Sequence, residues 1–293
     1  GTSATKSAAR KTTTATRTTA TTTAAPETAM TASALASDQS SNYTLMNPAP
    51  ASEMGTMQTE RTGPAVTPNT MAPGHYSIEM TAVSYGYTRV APGFSMKNLQ
   101  VAPFSVRAGL IANTEANAGI NYLHSESTTN AIGAPTARSS IGSMHLGTKT
   151  KLITTDMTPN FELAVMPTLD LPFRTAETWN LGVSAPMSFH VVDNWTFGAQ
   201  AGLQYLGIGE PGGGTMVMGT AGTIARSIND QVDVFGGLDS RKSLSTNGAW
   251  VANLNMGAGY SFTTNFRVDA GTNVGLSTAA QDINPYLGAA VRF

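Results

Sequence analysis

Residues 266–277 alternate without a break. Phe266, Val268, Ala270, Thr272, Val274 and Leu276 share one face, and Arg267, Asp269, Gly271, Asn273, Gly275 and Ser277 share the other. Side chains of an extended chain point to opposite faces in turn, so a period of two reads as a strand with one apolar side. The length of the run constrains the fold further. Ordinary strands span about five or six residues, whereas a tilted strand crossing a bilayer needs about 9–11. The same pattern recurs at 250–262 (Trp250, Ala252, Leu254, Met256, Ala258, Tyr260, Phe262) and at 195–205 (Trp195, Phe197, Ala199, Ala201, Leu203, Tyr205). Aromatic residues cluster near the ends of these runs, where interfacial girdles fall.

Composition narrows the choice. Only 12% of the 293 residues are charged, yet the hydrophobic fraction is 41% and the mean hydropathy is -0.09. The chain is poor in charge without being greasy. A membrane helix needs 18 or so consecutive apolar residues, and none is present. A transmembrane β-barrel reconciles the two, because only alternate residues touch lipid and the average conceals them. Net charge of -1 gives no general attraction to nucleic acid, and no nucleic-acid partner is expected. Cysteine is absent, which excludes disulfides and thiolate chemistry and suits an oxidising compartment.

About twelve alternating runs are expected, at 76–89, 98–111, 116–127, 139–153, 161–172, 179–192, 195–209, 215–228, 231–242, 248–262, 266–277 and 285–293. The links between them alternate in length: "VAPGFSMK", "TTNAIGAPTAR", "EPGGG" and "SLSTN" against "ANTE", "DN", "ND" and "TTN". An antiparallel barrel with both termini in the periplasm has that rhythm of tight turns and longer outer loops. In hydrocarbon an open sheet edge leaves peptide groups unsatisfied, at several kcal/mol each, so the last strand must pair with the first. Phe293 then ends the closing strand on its lipid side, as a terminal barrel signal. The expected fold is therefore all-β: a transmembrane antiparallel up-and-down β-barrel of about twelve strands over 73–293, in the bacterial outer membrane. Pro103, Pro167 and Pro186 fall inside strands and remove ladder donors, so irregularity is expected there. Arg226 shares a face with Met216, Met218 and Ile224 and needs a place at the membrane edge.

Residues 1–72 differ. "TTTATRTTATTTAAPETAMTASALAS" is low-complexity, and "MNPAPASEMGTMQTERTGPAVTPNTMAPG" is Pro-rich. Such a segment buries too little apolar area to offset its ordering entropy, and it reads as an extended or disordered tail. The alternative is a segment that orders on a partner: another subunit, a polymer, or the barrel's own lumen. Lys6, Arg10, Lys11 and Arg17 make its first stretch basic, which would suit an anionic surface.

Parity places a set of charges on the face away from lipid: Glu79, Arg107, Lys149, Lys151, Glu162, Asp170, Asp233, Asp239, Arg241, Arg267, Asp269 and Arg292. In a narrow lumen these acids and bases can neutralise one another and hold the shape, or form a charged constriction that selects solutes. Both readings stand together. No catalytic grouping emerges. His145 and His190 face inward by parity, each of the four histidines (with His75 and His124) reads as a pore-lining or loop residue, and no H-E-x-x-H or G-x-S-x-G is present. Neither an enzyme nor a metal or other cofactor is expected.

The stretches "FSVRAGL", "IGSMHLGTKTKL", "FELAVMPTLDLP", "MGAGYSFTTNFRVDAGTNVGLS" and "PYLGAAVRF" resemble the outer-membrane β-barrel family associated with transport in a phenol-degradation pathway, over residues ~76–293. The resemblance implies a barrel of roughly twelve strands and passage of small aromatic or hydrophobic compounds. Two functions follow. One is a passive channel for small hydrophobic or aromatic solutes. The other is a structural outer-membrane anchor or lattice protein whose tail binds a protein or polymer. Lipid is the expected surrounding in either case, and a homo-oligomer is compatible with both.

Overall fold

The computed structural model describes residues 42–293, except 92–93, 121–122, 130–135, 141–142, 174–177, 193, 210–212 and 246. The basic cluster of the tail, the side chain of His124 and most of the loops at 130–135, 174–177 and 210–212 lie outside the described residues.

Twelve antiparallel strands close into a ring. β1 is Tyr76–Ala91, and β2 comprises Phe94–Val101 and Phe104–Ile111. β3 comprises Thr114–Ile120 and Leu123–Thr129, and β4 comprises Thr136–Ser140 and Ser143–Ile153. The remaining strands are β5 (Phe161–Pro172), β6 (Trp179–Val192), β7 (Trp195–Ile208), β8 (Thr215–Ser227), β9 (Val232–Ser243), β10 (Trp250–Thr263), β11 (Phe266–Gly275) and β12 (Ile283–Arg292). Each pairs with its neighbours in sequence, and β12 returns to β1 from Arg292↔Ser77 to Ile283↔Tyr87. The Phe293 N–H donates to the Tyr76 carbonyl at 2.9 Å, sealing the seam to its last residue. The "terminal end" below is the rim where β1 starts and β12 stops; the "far end" is the opposite rim.

The wall is inverted relative to a water-soluble domain. Ile78, Met80, Val83, Leu181, Leu203, Met218, Leu238, Met256 and Leu287 are all exposed on the outside. The inner face buries Ser77, Glu79, Arg107, Lys149, Asn255, Arg267 and Asp269. So continuous an apolar belt needs lipid against it. Aromatics mark both rims. Phe161–Phe189, Tyr260–Phe262 and Phe262–Phe266 pack at 4.9, 4.8 and 5.6 Å at the terminal end, and Trp179, Tyr205 and Trp250 lie at the far end. Arg226, near the end of β8, stacks over the Trp195 ring at 5.2 Å, so its charge meets the membrane at the rim.

Three expectations need correction. The first connection is short, because pairing between β1 and β2 continues to Ala91↔Phe94. The second is the length rhythm, which fails there; "TTDMTPN" at 154–160, longer than the far-end link that follows, is an exception already legible in the sequence. Third, the prolines act differently from one another. Pro103 breaks β2 beside Ala102, which takes φ 54, and at the same level β1 bulges between Thr81 and Val83 on its other edge, against β12. Parity flips at that bulge: Ile78 and Met80 face out below it, Val83 and Tyr85 above it. At Pro167 and Pro186 the register is kept. Pairing skips from Gly147↔Thr168 to Thr150↔Val165 and from Leu163↔Met187 to Met166↔Ser184, the local loss a missing N–H imposes.

Candidate functional site: the occupied lumen

Residues 42–72, assigned to the tail on composition, are largely ordered against the inner wall, as are 73–75 that follow. Thr44 bridges Ile111 and the Leu45 N–H donates to Leu110 at 2.7 Å, so the segment begins at the terminal end. After one 3-10 turn at Ala51–Met54 it enters the lumen. The Met54 and Gly55 carbonyls accept from Arg292 on β12 at 2.9 and 3.1 Å. Ala65 and Val66 donate their N–H groups to Thr223 Oγ1 on β8 (3.0 Å) and Gln200 Oε1 on β7 (2.9 Å). The chain then returns: Met71 N–H donates to Glu115 on β3 at 2.8 Å, and Pro73 bridges Gly109 on β2. A segment that touches strands on every side of a ring can lie only inside it.

The chemistry of this packing follows from its backbone. Pro, Gly and Thr give residues 54–73 no ladder of their own, and a peptide group in a closed barrel must be satisfied by something. The wall supplies side chains. Arg107, 2% exposed, donates to the Gln58 carbonyl (3.3 Å) on the ingoing limb and the Asn69 carbonyl (3.0 Å) on the outgoing limb. It also pairs with Glu115 at 2.8 Å, Glu79 at 3.2 Å and Glu60 at 3.2 Å. Lys149, fully buried, bridges the limbs in the same way: its Nζ donates to Glu60 Oε1 and to the Thr67 carbonyl at 3.0 Å, with Glu115 at 3.2 Å. Glu60 N–H donates to Glu79 Oε2 at 3.0 Å.

Arg61 points to the opposite wall. Its Nε and Nη2 donate to the two oxygens of Asp269 at 2.7 and 2.9 Å, its Nη1 donates to Thr81 at 2.7 Å, and its guanidinium lies 5.8 Å from the Tyr286 ring centre. Glycines clear the space. A Cβ on Gly288 would occupy the position of the Arg61 guanidinium, and one on Gly109 would occupy that of the Ala72 carbonyl.

Other inward charges also find partners. Lys151 donates to Glu162 at 2.6 Å, and Glu162 accepts from Ser188 Oγ at 3.1 Å with His190 at 3.7 Å. Arg267 makes a two-pronged pair with Asp233, one prong at 2.6 Å. Asp239 accepts from Asn253 and Asn255 at 2.9 and 2.7 Å. Asp170 engages His145 at 2.6 Å and accepts from Gln204 at 3.1 Å. Arg241 lines a cavity of about 450 Å³ on the far side of the segment, together with His145, Gln204, Asp239 and Asn255, and Pro64 of the segment adjoins it. His75 lies outside the lumen chemistry, against the Ala49 and Phe293 carbonyls at 2.8 and 3.1 Å.

Parity reasoning missed Glu60, Arg61 and Glu115. Glu115 precedes the expected start of its strand by one residue, although it pairs in register with Gly109 and Lys149. "ER" at 60–61 is the one adjacent acid–base pair in residues 1–72, a signal that stood out against its neutral surroundings.

These features define a transmembrane β-barrel whose terminal half is occupied by its own N-terminal segment. The chain belongs to the family described as "Putative MetA-pathway of phenol degradation", whose model matches residues 59–293 and therefore takes in the Glu60–Arg61 pair. No curated protein matches the chain. Among solved structures, the NanC porin is similar at 10% identity and TM-score 0.48, covering 73% of this chain and 98% of its own. The translocator domain of the autotransporter NalP from Neisseria meningitidis is similar at 14% identity and TM-score 0.45, covering 94% and 100%. The CymD monoaromatic hydrocarbon channel is similar at 9% identity and TM-score 0.42, covering 74% and 87%.

Proposed function

We propose that the protein is an outer-membrane channel for passive passage of small hydrophobic or aromatic solutes, with both termini in the periplasm. The observation that carries this reading is the cavity of about 450 Å³ inside the ring, walled by polar and apolar groups of β4–β10 and adjoining Pro64 of the segment. Gln200, Gln204 and Asn255 offer donors and acceptors to a ring substituent, while Met166 and Pro64 offer apolar surface to the ring itself. The even strand number and short terminal-end turns support a periplasmic position for the termini. Phe293 serves as the terminal recognition residue for barrel assembly, and the paired inner charges set the permeation path. Single-channel recording in planar bilayers, with and without residues 1–72, tests the reading. Ion steps that small phenols block support it; silence in both forms sinks it.

The filled terminal half favours a second reading, in which the barrel is a structural anchor and residues 1–41 hold a protein or polymer through Lys6, Arg10, Lys11 and Arg17. This reading expects silence after truncation, and retention of the barrel by an immobilised anionic polymer that the truncated form does not show.

A further inference from the structure

We propose that residues 54–73 are a displaceable plug, and that Glu60 and Arg61 are its latch. The inference rests on the channel reading and adds its regulation. Three observations carry it. First, both limbs of the segment meet the terminal end, at Leu45–Leu110 and at Pro73–Gly109, so the loop can withdraw to that side without threading through the ring. Second, its hold on the wall is mostly polar. Wall side chains of Arg107, Lys149, Thr223, Gln200, Glu115 and Arg292 grip its backbone, and among the described plug side chains the buried apolar ones are Ala65, Pro68 and Met71. Water entering a vacated lumen could satisfy the same wall groups, so leaving costs less than it would from an apolar core. Third, the two latch residues are adjacent in sequence yet reach opposite walls, Glu60 to Lys149 on β4 and Arg61 to Asp269 on β11. Together they pin the loop across the bore.

The chain lacks cysteine, which permits a clean lock. A Cβ built on Gly198 would sit 3.6 Å from the Ala65 Cβ, within the range of about 3.5–4.5 Å that a disulfide requires. The experiment compares full-length Ala65→Cys/Gly198→Cys with the same protein carrying Glu60→Gln and Arg61→Gln, in planar bilayers under oxidant and then reductant. The expected result is that the unlatched protein shows conductance steps when reduced, loses them on oxidation and regains them on re-reduction. The latched parent, reduced, stays mostly closed. Reversal within one inserted molecule shows that the barrel is folded throughout.

The proposal is overturned if the unlatched protein conducts equally in both redox states, or if, reduced, it is no more active than the latched parent. Failure of the two cysteines to join on oxidation overturns the underlying geometry. Silence of the chain lacking residues 1–72 together with silence of every full-length form defeats the channel reading itself. Conduction by that truncated form beside a silent, reduced, unlatched protein defeats only the plug.

Discussion

The two halves of the lumen are built from the same wall and behave as different materials. In the terminal half, Arg107, Lys149, Glu115, Glu79 and Asp269 are buried and joined to the returning segment. In the far half, His145, Asp239 and Arg241 border open space and are held by neutral amides or a single partner where they are held at all. The difference teaches where the electrostatic cost lies. A charge removed from water is tolerable only when fully paired, and deleting one partner exposes the whole penalty. A charge facing a wet cavity stays solvated and contributes little to stability.

The largest effect should come from Arg107→Met, which leaves Glu79 without a cation beneath the segment and leaves Glu115 only Lys149. A loss of about 3–5 kcal/mol is expected in urea unfolding of the detergent-solubilised barrel, partly recovered by adding Glu79→Gln. An unchanged midpoint would erase the distinction between the halves. Met256→Arg, at the middle of β10 on the outside, should cost about 2–4 kcal/mol in lipid vesicles. Little cost there would put water, not lipid, against the belt; a nitroxide at Phe197 should likewise report acyl chains. Asp269→Asn weakens a two-pronged pair to a half-buried Arg61, so a smaller loss of about 1.5–3 kcal/mol is expected. Arg241→Gln, in the far half, should change stability by less than about 1 kcal/mol, yet shift the reversal potential in a salt gradient toward cations. Equal stability losses from Arg107→Met and Arg241→Gln would break the comparison outright.

Legibility in the sequence varied along the chain for physical reasons. β5 is Phe161–Pro172 and β6 is Trp179–Val192, the bounds that alternation alone assigned. β2 was read four residues short, because "VAPGFSMK" offers Pro, Gly and Lys where the ladder in fact continues. The inner position of Asp269 and Arg107 follows from period two. Their partners do not: Arg61 and Asp269 are 208 positions apart, and no local pattern relates them. The parity flip at Thr81/Val83 was likewise invisible, since a bulge depends on what lies across the ladder.

By itself the sequence determined a ring of long strands, apolar outward, because every second side chain declares its face and unsatisfied peptide edges cannot remain in hydrocarbon. Tertiary structure alone decided what fills that ring. Residues 54–73 carry no periodicity, so their place was set by groups from distant strands that converge only on closure, where each buried charge had to find an opposite charge or a polar oxygen.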